Sequence, residues 1–185
     1  ALIGSGNTAI GYAAGNLLEG VAADNTLVGT NAACSMTSAS SNTCVGSSAG
    51  DGLTTGASNT LLGRMAGLTM STSSNNVLVG YGAGDTIAAG QVLSNGTVGI
   101  GFDVLTSLTS GAGNTAVGFE ALTASVEGDK NTAVGYQALT VYNGSDGEGF
   151  NVAVGYQAGL FCSTGEANTF VGKGAGLGIT GTRLT

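Results

Sequence analysis

Asp146 and Glu148 stand two residues apart in the Gly-rich stretch Tyr142-Asn-Gly-Ser-Asp-Gly-Glu-Gly-Phe150, where side chains of this type can offer oxygen ligands to calcium. Calcium takes roughly six to eight oxygens, so two carboxylates alone also read as an ordinary solvated loop. Beyond this pair the chain has little that could do chemistry. It has no His, which removes the commonest general base and metal ligand at neutral pH. Its 11 acidic residues are scattered, whereas glycoside cleavage needs two carboxylates facing each other across a cleft. No catalytic residue, cofactor or established metal site is expected, and the chain does not read as an enzyme.

Charge excludes two classes of partner. Only Arg64, Lys130, Lys173 and Arg183 are cationic and the net charge is −7, so the phosphate neutralisation that drives nucleic-acid affinity has no supply. An anionic membrane surface is a poor partner for the same reason, and the apolar runs are far too short for a membrane span. The three cysteines, Cys34, Cys44 and Cys162, lack metal-like spacing and read as small buried hydrophobes, with a Cys34–Cys44 disulfide between neighbouring repeats as the other reading.

What must position these residues is a repeat. Gly supplies 35 of 185 residues, Pro and Trp are absent, and 42% of the chain is hydrophobic, which is too apolar for disorder. A motif of the form Asn-Thr-x-Val-Gly-x-x-Ala-Gly/Leu begins at Asn7, Asn25, Asn42, Asn59, Asn76, Thr97, Asn114, Asn131, Asn151 and Asn168. Its basic period is 17 residues, with longer intervals between 76 and 97 and between 131 and 151. Such a period predicts a single repeat domain over 1–185, an all-β parallel β-solenoid (β-roll) of about ten 17-residue coils.

Each motif column has a physical task. The second position is always β-branched (Thr8 to Thr169) and the fourth always aliphatic (Ile10 to Val171), so the segment reads as a strand. Residues two apart share a face, and these two columns are expected to point into the coil. Gly at the fifth position and Asn at the first read as corners, represented by Asn7, Gly11, Asn114, Gly118, Asn131 and Gly135. Stacked Asn can form side-chain ladders. Ala at the eighth position implies a tight spot, and an apolar twelfth position, from Leu18 to Ile179 with Ser125 as the exception, supplies an opposite wall.

The third position is never polar: Ala9, Leu27, Cys44, Leu61, Leu78, Gly99, Ala116, Ala133, Ala153, Phe170. With the second and fourth columns inward, the third would face outward. An apolar stripe of that length predicts an oligomer face at Leu27, Leu61, Leu78 and Phe170, against which further copies of the chain would pack.

Other surface features allow more than one reading. Aromatic residues recur at the sixth position (Tyr12, Tyr81, Phe102, Phe119, Tyr136, Tyr156), either as a stripe for stacking sugars or as cover for the corner Gly and the next coil. Tyr142 and Phe150 flank the second insertion and either contact sugar or pack its base. Asn95-Gly-Thr97 and Asn143-Gly-Ser145 match the N-glycosylation pattern. A Thr column at the coil repeat is also the form an ice-binding array takes, but the inward orientation expected for that column argues against it. Accessibility of Thr8, Thr26, Thr43 and Thr60 decides the point.

Asn131-Thr-Ala-Val-Gly-Tyr-Gln-Ala-Leu139, spaced by Gly/Ser/Thr-rich turns, resembles the head repeats of trimeric autotransporter (YadA-like) adhesins and is still more similar to repeats of phage tail fibres and large bacterial surface proteins. The resemblance covers residues 7–176. It implies a left-handed parallel β-roll, a homotrimer, a location outside the cell, on its surface or on a virion, and a role in attachment to a surface glycan or receptor. The coils here are longer than those of autotransporter heads, so trimer geometry is an analogy. Ala1-Leu2 resembles the end of a preceding motif and Thr185 falls one period after Asn168, so the solenoid is expected to continue beyond the chain or to stack head to tail as a filament.

Overall fold

A computed structural model describes residues 4–85, 95–144 and 149–178. Its strands are three residues long: β1 (Thr8–Ile10), β2 (Thr26–Val28), β3 (Thr43–Val45), β4 (Thr60–Leu62), β5 (Val77–Val79), β6 (Val98–Ile100), β7 (Thr115–Val117), β8 (Thr132–Val134), β9 (Val152–Val154) and β10 (Thr169–Val171). They form one parallel sheet in the order of the sequence. Each motif position pairs with the same position of the next coil, as in Thr43↔Thr60, Cys44↔Leu61 and Val45↔Leu62. The register holds across the first long interval, where Val77↔Val98 pair, and across the second, where Thr132↔Val152 pair. The chain is a parallel β-solenoid. Register is kept across both long intervals, because a slip of one residue would turn every side chain to the wrong face.

Gly at the fifth position ends each strand. Its φ lies between 120° and 148° along the column, and a Cβ on Gly118 would run into the carbonyl of Gly135 in the next coil. Conformation and contact therefore both exclude a side chain there. Other corners reach positive φ with ordinary residues, among them Lys130 (53°), Gln137 (53°) and Leu139 (50°).

The interior is the reverse of the expected one. Leu27, Leu61, Leu78 and Phe170 are buried in the core of their own chain, as are Cys44, Ala116 and Ala133. The second and fourth positions are the ones that face solvent, fully or in part. The third column is therefore not an oligomer face. A three-residue strand shows two residues on one side and one on the other, and a coil this thin admits only the single one. Columns one and three share that inward side, which also takes in the buried amides of Asn25, Asn59 and Asn131.

The core is completed by the eighth position, with Ala32, Ala66 and Ala121 buried, and by the twelfth, with Met36, Leu53, Met70, Leu108, Tyr142 and Cys162 buried. From coil four to coil eight, column nine compensates column three in size. Leu61 and Leu78 face Gly67 and Gly84, whereas Gly99, Ala116 and Ala133 are matched by Leu105, Leu122 and Leu139. Close packing at constant cross-section explains the exchange, since neither column can grow unless the other shrinks.

Candidate functional site

Three ladders run along the solenoid, and one of them lies inside. Asn42 donates from its backbone N and Nδ2 to Asn25 Oδ1 at 2.9 and 3.1 Å. Asn59 repeats this onto Asn42, and Asn131 onto Asn114 at 2.9 and 3.1 Å. The same Nδ2 reaches the last corner of its own coil, as in Asn59 to the carbonyl of Ser73 at 2.8 Å and Asn114 to that of Gly128 at 2.7 Å. One amide thus closes a coil and joins it to its neighbour. At the first coil, Asn7 Nδ2 donates to the Ala22 carbonyl and Oδ1 accepts from Asn25 N.

The second ladder lies outside. Tyr81, Phe102, Phe119, Tyr136 and Tyr156 stack in series, with ring centroids 5.0–5.3 Å apart and planes within 6–8° of parallel. Arg64, in the same column one coil before, lies over Tyr81 at 5.3 Å and donates to its hydroxyl at 2.9 Å. Lys173, one coil after, lies over Tyr156 at 5.9 Å. The ring faces are taken up by one another and by the two cations, so only edges and hydroxyls meet solvent. Sugars stack on faces, and these five rings offer them none; Tyr12, in the same column, stands exposed outside the series. Beside it, Gln157 donates to Gln137 at 2.9 Å and Gln137 to Glu120 at 2.8 Å.

The third array is the outer side of the sheet itself. Its second column is Thr8, Thr26, Thr43, Thr60, Val77, Val98, Thr115, Thr132, Val152 and Thr169, and its fourth is Ile10, Val28, Val45, Leu62, Val79, Ile100, Val117, Val134, Val154 and Val171. None of these residues is charged. Threonines elsewhere bond to the adjacent coil, as Thr54 does to the Ser71 carbonyl and Thr109 to that of Val126. Among the described residues, the hydroxyls of the seven face threonines take no partner within the chain. Alternation revealed this grouping in the sequence but not its direction.

Asp146 and Glu148 lie outside the described residues, as do Ile87 and Ile179 of column twelve. Among the described residues no group of three or more Cys, Asp or Glu could hold a metal ion. Asp103 sits near Asp85 and Glu120, and its carboxyl is raised above the usual range, by burial first and then by these two charges. Tyr142 is wholly buried, so its ring packs the base of the second insertion and meets no sugar. Phe150 is half-exposed beneath the Lys130 ammonium at 5.0 Å. All three cysteines are free thiols. Burial pushes Cys44 up to about 12, and Cys34, partly exposed, donates to Asp51 at 2.6 Å. No helix among the described residues is long and apolar enough to cross a membrane.

No family model matches the chain, and neither a curated protein nor a solved structure matches it.

Proposed function

We propose that the chain is a rigid structural segment of an extracellular fibre or adhesin that sets distance and orientation for attachment or assembly. The observation that carries this reading is linear connectivity: every strand pairs only with the strands before and after it in sequence. Each added coil extends such an array by one strand spacing without enlarging its core, so ten coils reach about 45–50 Å. The Asn ladder inside, interrupted at Thr97, and the aromatic ladder outside from Tyr81 to Tyr156 each tie successive coils, which favours stiffness along the axis. The phage tail-fibre shaft is the alternative setting for the same rod, and the resemblance of Asn131–Leu139 to fibre repeats supports both.

A left-handed winding and a trimer rest on that resemblance alone. Copies associating side by side would not meet on the third column, which is committed to the core. Immunogold labelling with an antibody against the chain, on the cells or virions that carry it, tests the proposal. Label along surface appendages or tail fibres is the expected result, and label confined to the cell interior overturns it.

A further inference from the structure

We propose that the Thr/Val face binds ice, holding a layer of ordered water on its methyls and hydroxyls. This goes beyond a structural role and needs only the fold.

Lattice regularity is the first support. In-register parallel pairing repeats each column at about 4.8 Å along the axis, and the two columns stand two residues, about 6.6 Å, apart. Both spacings are near repeats of the oxygen lattice of ice. Flatness is the second support. Neighbouring strands in ordinary sheets rotate by about 20–25°, whereas the rings on five consecutive coils here stay within 6–8° of their neighbours. Side-chain ladders are the device that holds an untwisted sheet, and this molecule has them inside and outside. A flat array keeps its match over many ranks, which a twisted one loses.

Chemistry is the third support. Both columns present methyls, which order water around themselves, and no charge disrupts that order. The seven unpartnered threonine hydroxyls can join a water lattice as donor and acceptor. A second copy laid dry on the same face would instead bury those hydroxyls without partners, which their lost hydrogen bonds to water disfavour.

The test is partition of the fluorescently labelled full chain into slowly grown ice, together with thermal hysteresis and mass by light scattering. Expected are a monomer enriched in the ice, loss of enrichment in a Thr60→Tyr/Thr132→Tyr variant, and enrichment retained in Thr55→Tyr, which lies exposed in another column. If the double variant fails to fold by circular dichroism, Val117→Lys places a charge mid-face and serves the same purpose. Exclusion of the native chain from ice overturns the proposal, as does equal loss in Thr55→Tyr. So does an oligomer whose face threonines are covered. Each of these outcomes leaves the labelling result for the fibre reading untouched, so the two can fail separately.

Discussion

Leu105 occupies the space in front of Gly99: a Cβ on that glycine would lie 2.9 Å from Leu105 Cδ1 and 3.0 Å from Leu78 Cδ2. One coil earlier the sizes are reversed, and a Cβ on Gly84 would lie 2.9 Å from Leu78 Cδ1. Leu105→Ala should therefore cost about 2–5 kcal/mol as a buried cavity. Gly99→Leu alone should also destabilise, by overpacking. The pair Gly99→Leu/Leu105→Gly copies the arrangement of Leu78 with Gly84 and relieves the positive φ of Leu105 (56°), so it should recover most of either loss. A double-mutant cycle of thermal melts measures the coupling, and additive losses would contradict the exchange.

Asn59 accepts from Asn76 N and Nδ2 at 3.0 and 3.2 Å while donating to Asn42 Oδ1 and the Ser73 carbonyl. Asn59→Ala strands buried groups on three sides, each worth about 1–3 kcal/mol. Asn59→Asp keeps the acceptor, loses the donor and buries a charge, so it should be the worse of the two at neutral pH. Hydrogen exchange at Asn76 N should accelerate in the alanine variant, and unchanged protection there would contradict the ladder's role.

The repeat, its register and the Gly that ends each strand were legible because Asn and Gly recur with few exceptions. The left-handed corner, however, falls on the residue before each Asn, such as Asp24, Ser58 and Lys130, while Asn25, Asn59 and Asn131 are buried in a ladder. Which face points inward was not. Alternation states that Thr26 and Val28 share a side and Leu27 takes the other, and nothing in that pattern says which side is the core. Two signals were available. Leu78 with Gly84 against Gly99 with Leu105 is a compensation in volume that only packed neighbours require. Asn25 and Leu27 also have the same parity, so a buried Asn ladder carries the third column in with it. The cation caps were readable in principle, since Arg64 and Lys173 occupy the aromatic column one coil outside its ends. The second insertion offered no such constraint, because Asp146 and Glu148 belong to no column.

Phe119 lies between Phe102 at 5.2 Å and Tyr136 at 5.0 Å. Phe119→Ser removes both contacts, each worth about 0.5–1.5 kcal/mol beyond area burial. The expected result is a lower melting temperature and a weaker near-ultraviolet dichroism from the remaining tyrosines. Arg64→Ala, at the end of the series, should cost about 0.5–1 kcal/mol, as suits an exposed cation over a ring.

Cys44 is buried beside Leu61, and its thiol is pushed from 9.0 up to about 12 by burial. The unfolded chain loses this proton near pH 9 while the folded chain keeps it, so the unfolded state binds fewer protons and stability falls as pH rises from about 9 to about 12. Cys44→Ala should flatten that part of the stability curve while lowering it overall. Alkylation of the native chain at pH 8 should modify Cys34 well before Cys44. Equal rates at the two thiols would contradict the burial assigned to Cys44.

Asp103 gives the opposite kind of test, in which removing a charge should help. Its carboxyl is raised by burial and by the charges of Asp85 and Glu120, so the fold disfavours its ionised form relative to the unfolded chain. At neutral pH the carboxylate is therefore a standing cost, and Asp103→Asn should raise the melting temperature. A folded value above the unfolded one means that the group favours folding only in acid. The native chain's deficit against the variant should thus close as pH falls through the raised carboxyl value and then through the ordinary one. Paired melts of the two chains from neutral to acid pH measure that difference. A gain that stayed constant with pH would assign the effect to amide hydrogen bonding, and the repulsion among Asp85, Asp103 and Glu120 would then have no part in it.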